Sequence, residues 1–257
     1  MKIGAQLFTL RDFCKTLDDF SETLKKVADI GYTTVQVSGT CEFDPLWLKN
    51  ELDKNGLSCV LTHTKYDKMI SDPIKVCRDH DIFDCKYIGL GMMPESGAKH
   101  GGFTEETYNK FVNEMLPVAK VFANNGHKLF YHNHQNEYAK DENGTVYLHK
   151  LCALLPPEQL GITLDTYWVQ FGGADPAREI ELLRGRVECI HLKDLAVVAG
   201  EQRMAAVGDG NINFDRIFRA AEDAGVEYML VEQDNCNGED PFECLRRSYN
   251  YLKSCGF

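Results

Sequence analysis

Residues Leu129–Tyr138 read LFYHNHQNEY, and this stretch sets the interpretation of the whole chain. It begins as an apolar, β-prone run and ends in two histidines and a carboxylate. The apolar part is typical of a buried strand. Because side chains alternate along a strand, His132 and His134 are expected on the same face. The stretch therefore predicts a buried strand whose carboxyl end carries polar, functional side chains.

Seven other runs of the chain resemble its apolar part. In chain order the eight strand candidates are KIGAQLF, TTVQVSG, LSCVLTHT, CKYIGLG, KLFYHNH, GITLDTYW, VECIHLKD and EYMLVEQD. Amphipathic segments lie between them, such as LDDFSETLKKVADIG and NFDRIFRAAEDAG, which each end at a glycine. This alternation predicts βα units around a parallel sheet, and eight units close a barrel. We expect an α/β fold, a (β/α)8 TIM barrel, as one domain over residues 1–257.

An open doubly wound sheet would give a similar alternation of elements. It is disfavoured because the first βα turn has no G-x-G-x-x-G or P-loop spacing. In a barrel the active site lies at the carboxyl ends of the strands.

Composition excludes several classes of protein. The chain has 257 residues, 44% of them hydrophobic, and a formal net charge of -11. This charge opposes binding to nucleic acid, which needs a basic face. The start of the sequence lacks a signal peptide pattern, and no apolar run is long enough to span a membrane, so we expect a cytoplasmic protein. The ten cysteines form no C-x-x-C pair and are expected to be reduced and mostly buried.

Polar residues stand at the ends of the predicted strands. They are His63, His132, His134, Glu137, Asp165, His191, Lys193 and Glu232. Any one of them could be an ordinary rim residue or helix cap. Together, carboxylates and imidazoles from strands five to eight would surround one point, where a divalent cation relieves their repulsion and the cost of burial. Oxygen and nitrogen ligands without a thiolate suit manganese, magnesium, cobalt or zinc.

The motifs GAQLFTLRD, YHNHQNEY, LDTYWVQFGGADP, RVECIHLKD, VGDGNINF and VEQD, in this order, resemble the sugar phosphate isomerase/epimerase family. These xylose isomerase-like barrels also include family 2 AP endonucleases. The resemblance implies one divalent metal ion held by Asp165, His191, Glu232 and a glutamate of strand five. In the sugar epimerase branch that glutamate lies within the strand, where this chain has Tyr131 and His132. Glu137, a few residues later, is the preferred fourth ligand, and His134 or His132 is the alternative.

The resemblance also implies a metal-dependent sugar isomerase or epimerase that removes a proton next to a carbonyl. Glu232 and Glu137 are the expected acid/base pair as well as ligands, unless one of them is a ligand only. Lys193 is expected to neutralise a developing oxyanion, or else to form an ordinary salt bridge. The expected substrate-binding residues are His63, His134, Gln6 and Trp168.

Two long loops follow strands four and seven, GMMPESGAKHGGF and AVVAGEQRMAAVGDGN. Either could close over a substrate. The glycines of VGDGN could offer backbone N–H groups to a phosphate or simply form a turn, and the turn is the favoured interpretation.

Three other functions compete with the isomerase or epimerase. A dehydratase resembling inosose dehydratase shares the proton-abstraction step. A DNA-repair nuclease is disfavoured, because a three-metal cluster needs more ligands and the acidic charge repels DNA. A non-catalytic sugar-binding or assembly subunit is the third. The expected partner is a small carbohydrate, with neither nucleic acid nor membrane, and the sequence leaves a homo-oligomer open.

Overall fold

The structure is a computed structural model that describes residues 1–94, 96 and 103–257. Its ten strands are β1 (Lys2–Gln6), β2 (Thr34–Val37), β3 (Ser58–His63), β4 (Tyr87–Leu90), β5 (Lys128–His132), β6 (Leu160–Asp165), β7 (Cys189–Leu192), β8 (Asp194–Val198), β9 (Glu201–Ala205) and β10 (Tyr228–Val231). Strands β1 to β7 and β10 form a closed parallel barrel. The predicted (β/α)8 TIM barrel is therefore confirmed, and each of the eight predicted strands overlaps one barrel strand.

Helices connect the strands and pack around the barrel. They are α1 (Leu17–Ile30), α2 (Pro45–Lys54), α3 (Tyr66–Ser71), α4 (Pro73–Ile82), α5 (Glu105–Asn124), α6 (Tyr147–Cys152), α7 (Thr166–Phe171), α8 (Pro176–Leu182), α9 (Phe214–Ala224) and α10 (Pro241–Ser254). Among the described residues, 3-10 helices span Leu7–Phe13 and Gln135–Tyr138. The second lies directly after β5, so it shapes the polar end of the stretch Leu129–Tyr138.

Helix α1 shows why the amphipathic segments fold as predicted. The Thr16 side chain accepts a hydrogen bond from the backbone N–H of Asp19, which caps the helix start. Gly31 ends the helix at φ 121°, a conformation that side chains disfavour. The buried face carries Phe20 and Leu24, among others. Leu17, the first residue of the helix, is 40% exposed.

The barrel interior is filled by large side chains that meet across it. One cluster joins Val60, Leu61, Tyr87, Phe130, Cys189 and Leu230, from five strands. The Phe130 ring fits against Gly161 of the neighbouring strand, where an added Cβ would lie 2.5 Å from the ring. This apolar layer leaves the carboxyl ends of the strands as the place for polar groups.

The ten cysteines are free thiols, and seven of them are buried, as expected for reduced cysteines in a packed core. Among the described residues, no helix is long and apolar enough to cross a membrane.

Candidate metal centre at the barrel mouth

Four buried side chains meet at the carboxyl end of the barrel. His132 and Asp165 are the last residues of β5 and β6, His191 lies in β7, and Glu232 follows β10 directly. Pairing of β6 with β7 places Asp165 beside His191. One ligand atom from each of the four residues lies within 4.8 Å of the others. Neighbouring strands thus bring together two imidazoles and two carboxylates far apart in sequence.

The hydrogen bonds of His132 fix the direction of each ring nitrogen. Nδ1 lies 2.9 Å from the backbone oxygen of Gly91. A carbonyl oxygen only accepts, so Nδ1 carries the proton and donates it. Nε2 lies 3.2 Å from Oδ2 of Asp165. When the ring is neutral, the lone pair of Nε2 faces the carboxylate oxygen of Asp165. The two groups repel each other unless a cation or a second ring proton lies between them.

His191 has the same arrangement with its nitrogens exchanged. Nε2 lies 2.7 Å from Oε1 of Gln36, whereas Nδ1 lies 2.9 Å from Oε2 of Glu232 and 3.7 Å from Oδ2 of Asp165. Burial opposes protonation of the ring, but the carboxylates of Glu232 and Asp165 outweigh it and raise its pKa. The space between His191 and these carboxylates therefore favours positive charge.

Lys193 supplies part of that charge. Its Nζ lies 2.9 Å from both Asp165 and Glu232 and 2.8 Å from Oδ2 of Asp234. Burial opposes ionisation of Asp165 and Glu232, but the Lys193 ammonium and the nearby imidazoles hold the pKa of both carboxyls well below the usual range. Three carboxylates against one ammonium leave two negative charges, which one divalent cation would neutralise.

Glu137, the preferred fourth ligand, is not in this cluster. Its Oε1 accepts a hydrogen bond from the Tyr131 hydroxyl at 2.6 Å, and Oε2 accepts one from the His134 backbone N–H at 2.7 Å. Burial raises its pKa. The 3-10 turn after β5 directs this side chain back to its own strand, so His132, one of the two alternatives, joins the other three residues instead.

The expected substrate-binding residues border the centre. The His63 ring centroid lies 5.3 Å from that of His132, and His134 lies 4.7 Å from it on another side. Burial, His132 and Lys193 lower the pKa of His134 to about 3. Trp168 lies with its ring 5.5 Å from Nζ of Lys193. These side chains surround the mouth with rings whose polar atoms include the buried, unpaired Nε2 of His63.

Gln6, an expected substrate-binding residue, contacts the candidate metal ligand Glu232 directly. Its Nε2 donates a hydrogen bond to Oε1 of Glu232 at 2.8 Å, and its Oε1 accepts one from the Phe8 backbone at 2.7 Å. The amide therefore orients the carboxylate so that Oε2 faces His191 and Lys193.

A cavity of about 240 Å³ adjoins the centre at the ends of β2 and β3. His63 belongs to its wall, and the His63 ring also lies 5.3 Å from that of His132. Ser38, Thr62, Lys65 and Lys68 also border it. Lys65 and Lys68 both pair with Glu42, which borders the cavity as well, so its wall carries hydroxyls and ion pairs.

Sequence reasoning missed three residues that support the cluster. Gln36 holds His191, the side-chain oxygen of Asn133 accepts from the Asp165 backbone N–H at 3.0 Å, and Asp234 pairs with Lys193. Gln36 carried a usable signal, since it is a polar residue inside the apolar run TTVQVSG. Asn133 and Asp234 are next to recognised motif residues but gave no signal of their own.

The glycine-rich segment VGDGN forms a turn around a side chain of the protein itself. Asp194 accepts hydrogen bonds from the backbone N–H groups of Leu195, Gly208, Gly210 and Ile212. The favoured turn interpretation is confirmed, because Asp194 accepts the hydrogen bonds that these N–H groups would have to donate to a phosphate. Before this turn, the long loop after β7 forms the β8–β9 hairpin. The loop after β4 lies partly outside the described residues.

Comparison with known proteins agrees with the barrel fold. The profile of a family described as xylose isomerase-like TIM barrel matches residues 24–255. An inosose dehydratase of Geobacillus thermodenitrificans is 25% identical over 173 residues, covering 60% of this chain and 57% of that protein. The chain thus spans somewhat over half the length of this curated relative.

Solved structures share the fold. A sugar phosphate isomerase/epimerase from Parabacteroides distasonis has a TM-score of 0.80 at 20% identity, over 99% of this chain and 94% of that one. A probable 3-DHS dehydratase involved in petrobactin synthesis, from Bacillus anthracis, has a TM-score of 0.74 at 18% identity, over 98% and 99% of the two chains.

Proposed function

The chain belongs to the xylose isomerase-like TIM-barrel family, as its motifs predicted, and from this premise we propose that it is a divalent-metal-dependent enzyme acting on a small sugar or sugar derivative. Its first chemical step is removal of a proton next to a carbonyl, as in an isomerase or epimerase. The observation that carries the proposal is the convergence of His132, Asp165, His191 and Glu232 within 4.8 Å.

The residues fit a divalent ion. Each imidazole has one nitrogen committed to a protein acceptor and the other directed at a carboxylate, the arrangement in which imidazoles bind metals. The two negative charges left over at the centre match the ion in magnitude. When bound, the ion supplies Lewis-acid stabilisation of negative charge on substrate oxygen.

Glu232 is the base that we assign. The Lys193 ammonium keeps its carboxyl ionised, so it can take a proton at neutral pH. Gln6 holds the carboxylate in place through Oε1. Lys193 lies where it can also donate to an oxygen that gains negative charge. We assign Glu137 a positioning part instead, because both of its oxygens bind the end of β5 and the turn after it.

A dehydratase is the second candidate, and the position of Glu137 favours it. An epimerase is expected to return the proton from a second carboxylate, but β5 contributes no carboxylate to the cluster. Loss of a β-hydroxyl needs only one base and a proton donor to the leaving oxygen, and Glu232 can fill both roles in turn, first taking the proton from carbon and then giving it to the leaving hydroxyl. The curated relative named inosose dehydratase points to the same reaction.

Metal content is the first test. Purified wild-type protein is expected to hold close to one divalent ion per chain by plasma mass spectrometry, and Asp165→Asn and Glu232→Gln to lose it. Asp209→Asn, an exposed carboxylate paired with Arg247, is the matched control and should keep it. Absence of metal in every sample after reconstitution would leave a sugar-binding or assembly protein.

Turnover then separates the two reactions. A panel of keto-sugars and inososes is incubated with the metal-loaded protein in deuterated water. Solvent deuterium in a product of unchanged composition identifies an isomerase or epimerase, whereas loss of one water identifies a dehydratase. Metal binding without turnover of any carbonyl compound would contradict the proposed reaction.

A further inference from the structure

We propose that this centre selects zinc, cobalt or ferrous ions over magnesium and manganese, and that it does so through Nε2 of His132 and Nδ1 of His191. The inference rests on the proposed metal centre and adds which class of ion the centre takes and through which atoms.

The donor set is the first argument. Two imidazole nitrogens and two carboxylates converge, whereas Glu137 as fourth ligand would have given one imidazole and three carboxylates. Imidazole suits zinc, iron, cobalt and nickel, whereas carboxylate oxygens suit magnesium and manganese. Magnesium also keeps several waters, and this donor set is almost completely buried, with His132 and Glu232 each 3% exposed.

Hydrogen bonds also hold each imidazole in the tautomer that can bind a metal. The Gly91 carbonyl accepts a hydrogen bond from Nδ1–H of His132, so Nε2 carries the lone pair that can bind a metal. The Gln36 side-chain oxygen accepts a hydrogen bond from Nε2–H of His191, so Nδ1 carries the lone pair that can bind a metal. Nδ1 of His191 faces Oε2 of Glu232 at 2.9 Å, so a ring lone pair and a carboxylate oxygen are directed at the same place, as two ligands of one ion would be.

The surroundings hold both rings in place. The ring centroids of His132 and His191 lie 4.5 Å apart, and His63 lies 5.3 Å and 5.7 Å from them. A Cβ added at Gly91 would lie 2.9 Å from Nδ1 of His63. A glycine at this position thus lets the carbonyl reach His132 beside the third ring. The hydrogen bonds to Gly91 and Gln36, and not the contact with His63, fix the orientation of the two metal-facing nitrogens.

Competition with a chromophoric chelator tests the selectivity. Dissociation constants for zinc, cobalt, manganese and magnesium are measured for wild type, His132→Glu and His63→Gln. Most sites prefer zinc to manganese to some extent, so the informative quantity is the change in the ratio of the two constants. His132→Glu is expected to shift this ratio towards manganese by at least about tenfold, and His63→Gln to leave it close to wild type.

Paramagnetic proton NMR of the cobalt-loaded protein tests the ligand atoms without using activity. Wild type should show two strongly shifted, solvent-exchangeable imidazole N–H signals, one from each histidine. His132→Gln should show one, and His63→Gln should keep two, with circular dichroism used to verify folding.

The outcomes distinguish the inference from the function on which it rests. If no variant and no wild-type sample binds any divalent ion, the proposed metal-dependent function fails. If wild type binds metal but shows a single N–H signal, or if His132→Glu leaves the zinc-to-manganese ratio unchanged, only the present inference is overturned.

Discussion

Nε2 of His191 on β7 lies 2.7 Å from Oε1 of Gln36 on β2, so a single hydrogen bond crosses the mouth of the barrel. It decides which imidazole nitrogen faces the two carboxylates of the candidate metal centre.

Replacing Gln36 by leucine should therefore weaken metal binding. Without the acceptor, His191 can adopt the other tautomer or turn, and outer partners of metal-bound histidines contribute about 10- to 100-fold to affinity. Chelator competition gives the dissociation constant, and Gln170→Leu on the exposed side of α7 is the control. Equal constants for Gln36→Leu and wild type would show that the hydrogen bond does not position the ring.

Removing the Lys193 ammonium should destabilise the metal-free protein. Lys193→Met leaves Asp165, Glu232 and Asp234 buried or half-buried without their shared partner, and breaking a buried ion pair costs on the order of 3–5 kcal/mol. Zinc should restore part of this loss, since it replaces the missing positive charge.

Urea unfolding with chelator and with excess zinc measures both effects. As a control, Lys25→Met removes an exposed partner of Asp29 and should leave the free energy of unfolding close to that of wild type. A Lys193→Met protein as stable as wild type in chelator would argue against the charge balance described above.

Glu137→Gln tests whether this residue is a ligand or a support. We expect full metal content with a loss of about 1–3 kcal/mol in stability, because the amide can accept only part of what two carboxylate oxygens accept from Tyr131 and His134. Tyr131→Phe should lose less, and His132→Gln should lose metal. Loss of metal in Glu137→Gln, equal to that in His132→Gln, would restore Glu137 as a ligand.

The turn that precedes α9 depends on Asp194. Asp194→Asn should lower the free energy of unfolding by about 2–4 kcal/mol, since its carboxylate accepts four backbone N–H groups. Gly210→Ala should also be destabilising, because the new Cβ would lie 2.4 Å from Oδ1 of Asp194. Metal content should persist in both variants. Wild-type stability in both would mean that the turn forms without this carboxylate.

His80 should make stability depend on pH below neutrality. Burial lowers its pKa from 6.5 to about 4. The folded state therefore binds fewer protons than the unfolded state between these values, and the contribution of the neutral ring is complete above pH 6.5 and lost as the pH falls towards 4. The full loss is on the order of 3 kcal/mol.

His80→Gln should flatten this dependence, because glutamine does not titrate. Unfolding by urea between pH 4.5 and 8 measures the slope for both proteins. The variant loses part of the ring contacts to Thr62 and Val76, so the comparison concerns the slope and not the absolute stability. Parallel slopes would exclude His80 as the source.

Several parts of the site could be predicted because they follow from local sequence. Asp165, His191 and Glu232 each stand at or next to the carboxyl end of an apolar run, and parallel strands in a closed barrel must bring such ends together. Strand alternation placed His191 and Lys193 in the same direction, and both lie at the centre.

The position of Glu137 could not be predicted in this way. The sequence shows only that a long carboxylate follows β5 by a few residues. Its direction depends on the 3-10 turn Gln135–Tyr138 and on the Tyr131 hydroxyl, which takes one of its oxygens. The contact of Gly91 with His132 was equally hidden, because Gly91 comes from the loop after β4. Gln36 could be noticed as a polar residue inside an apolar run, but its pairing with His191 could not be predicted.

The sequence by itself determined the barrel, because hydrophobic periodicity and glycine stops are local properties that repeat along the chain. It also determined the candidate ligands from strands six to eight. Only the tertiary structure decided that His132 replaces Glu137 in the cluster and which nitrogen each histidine presents. Both depend on hydrogen bonds between residues as far apart as Gln36 and His191, and no local pattern specifies such partners.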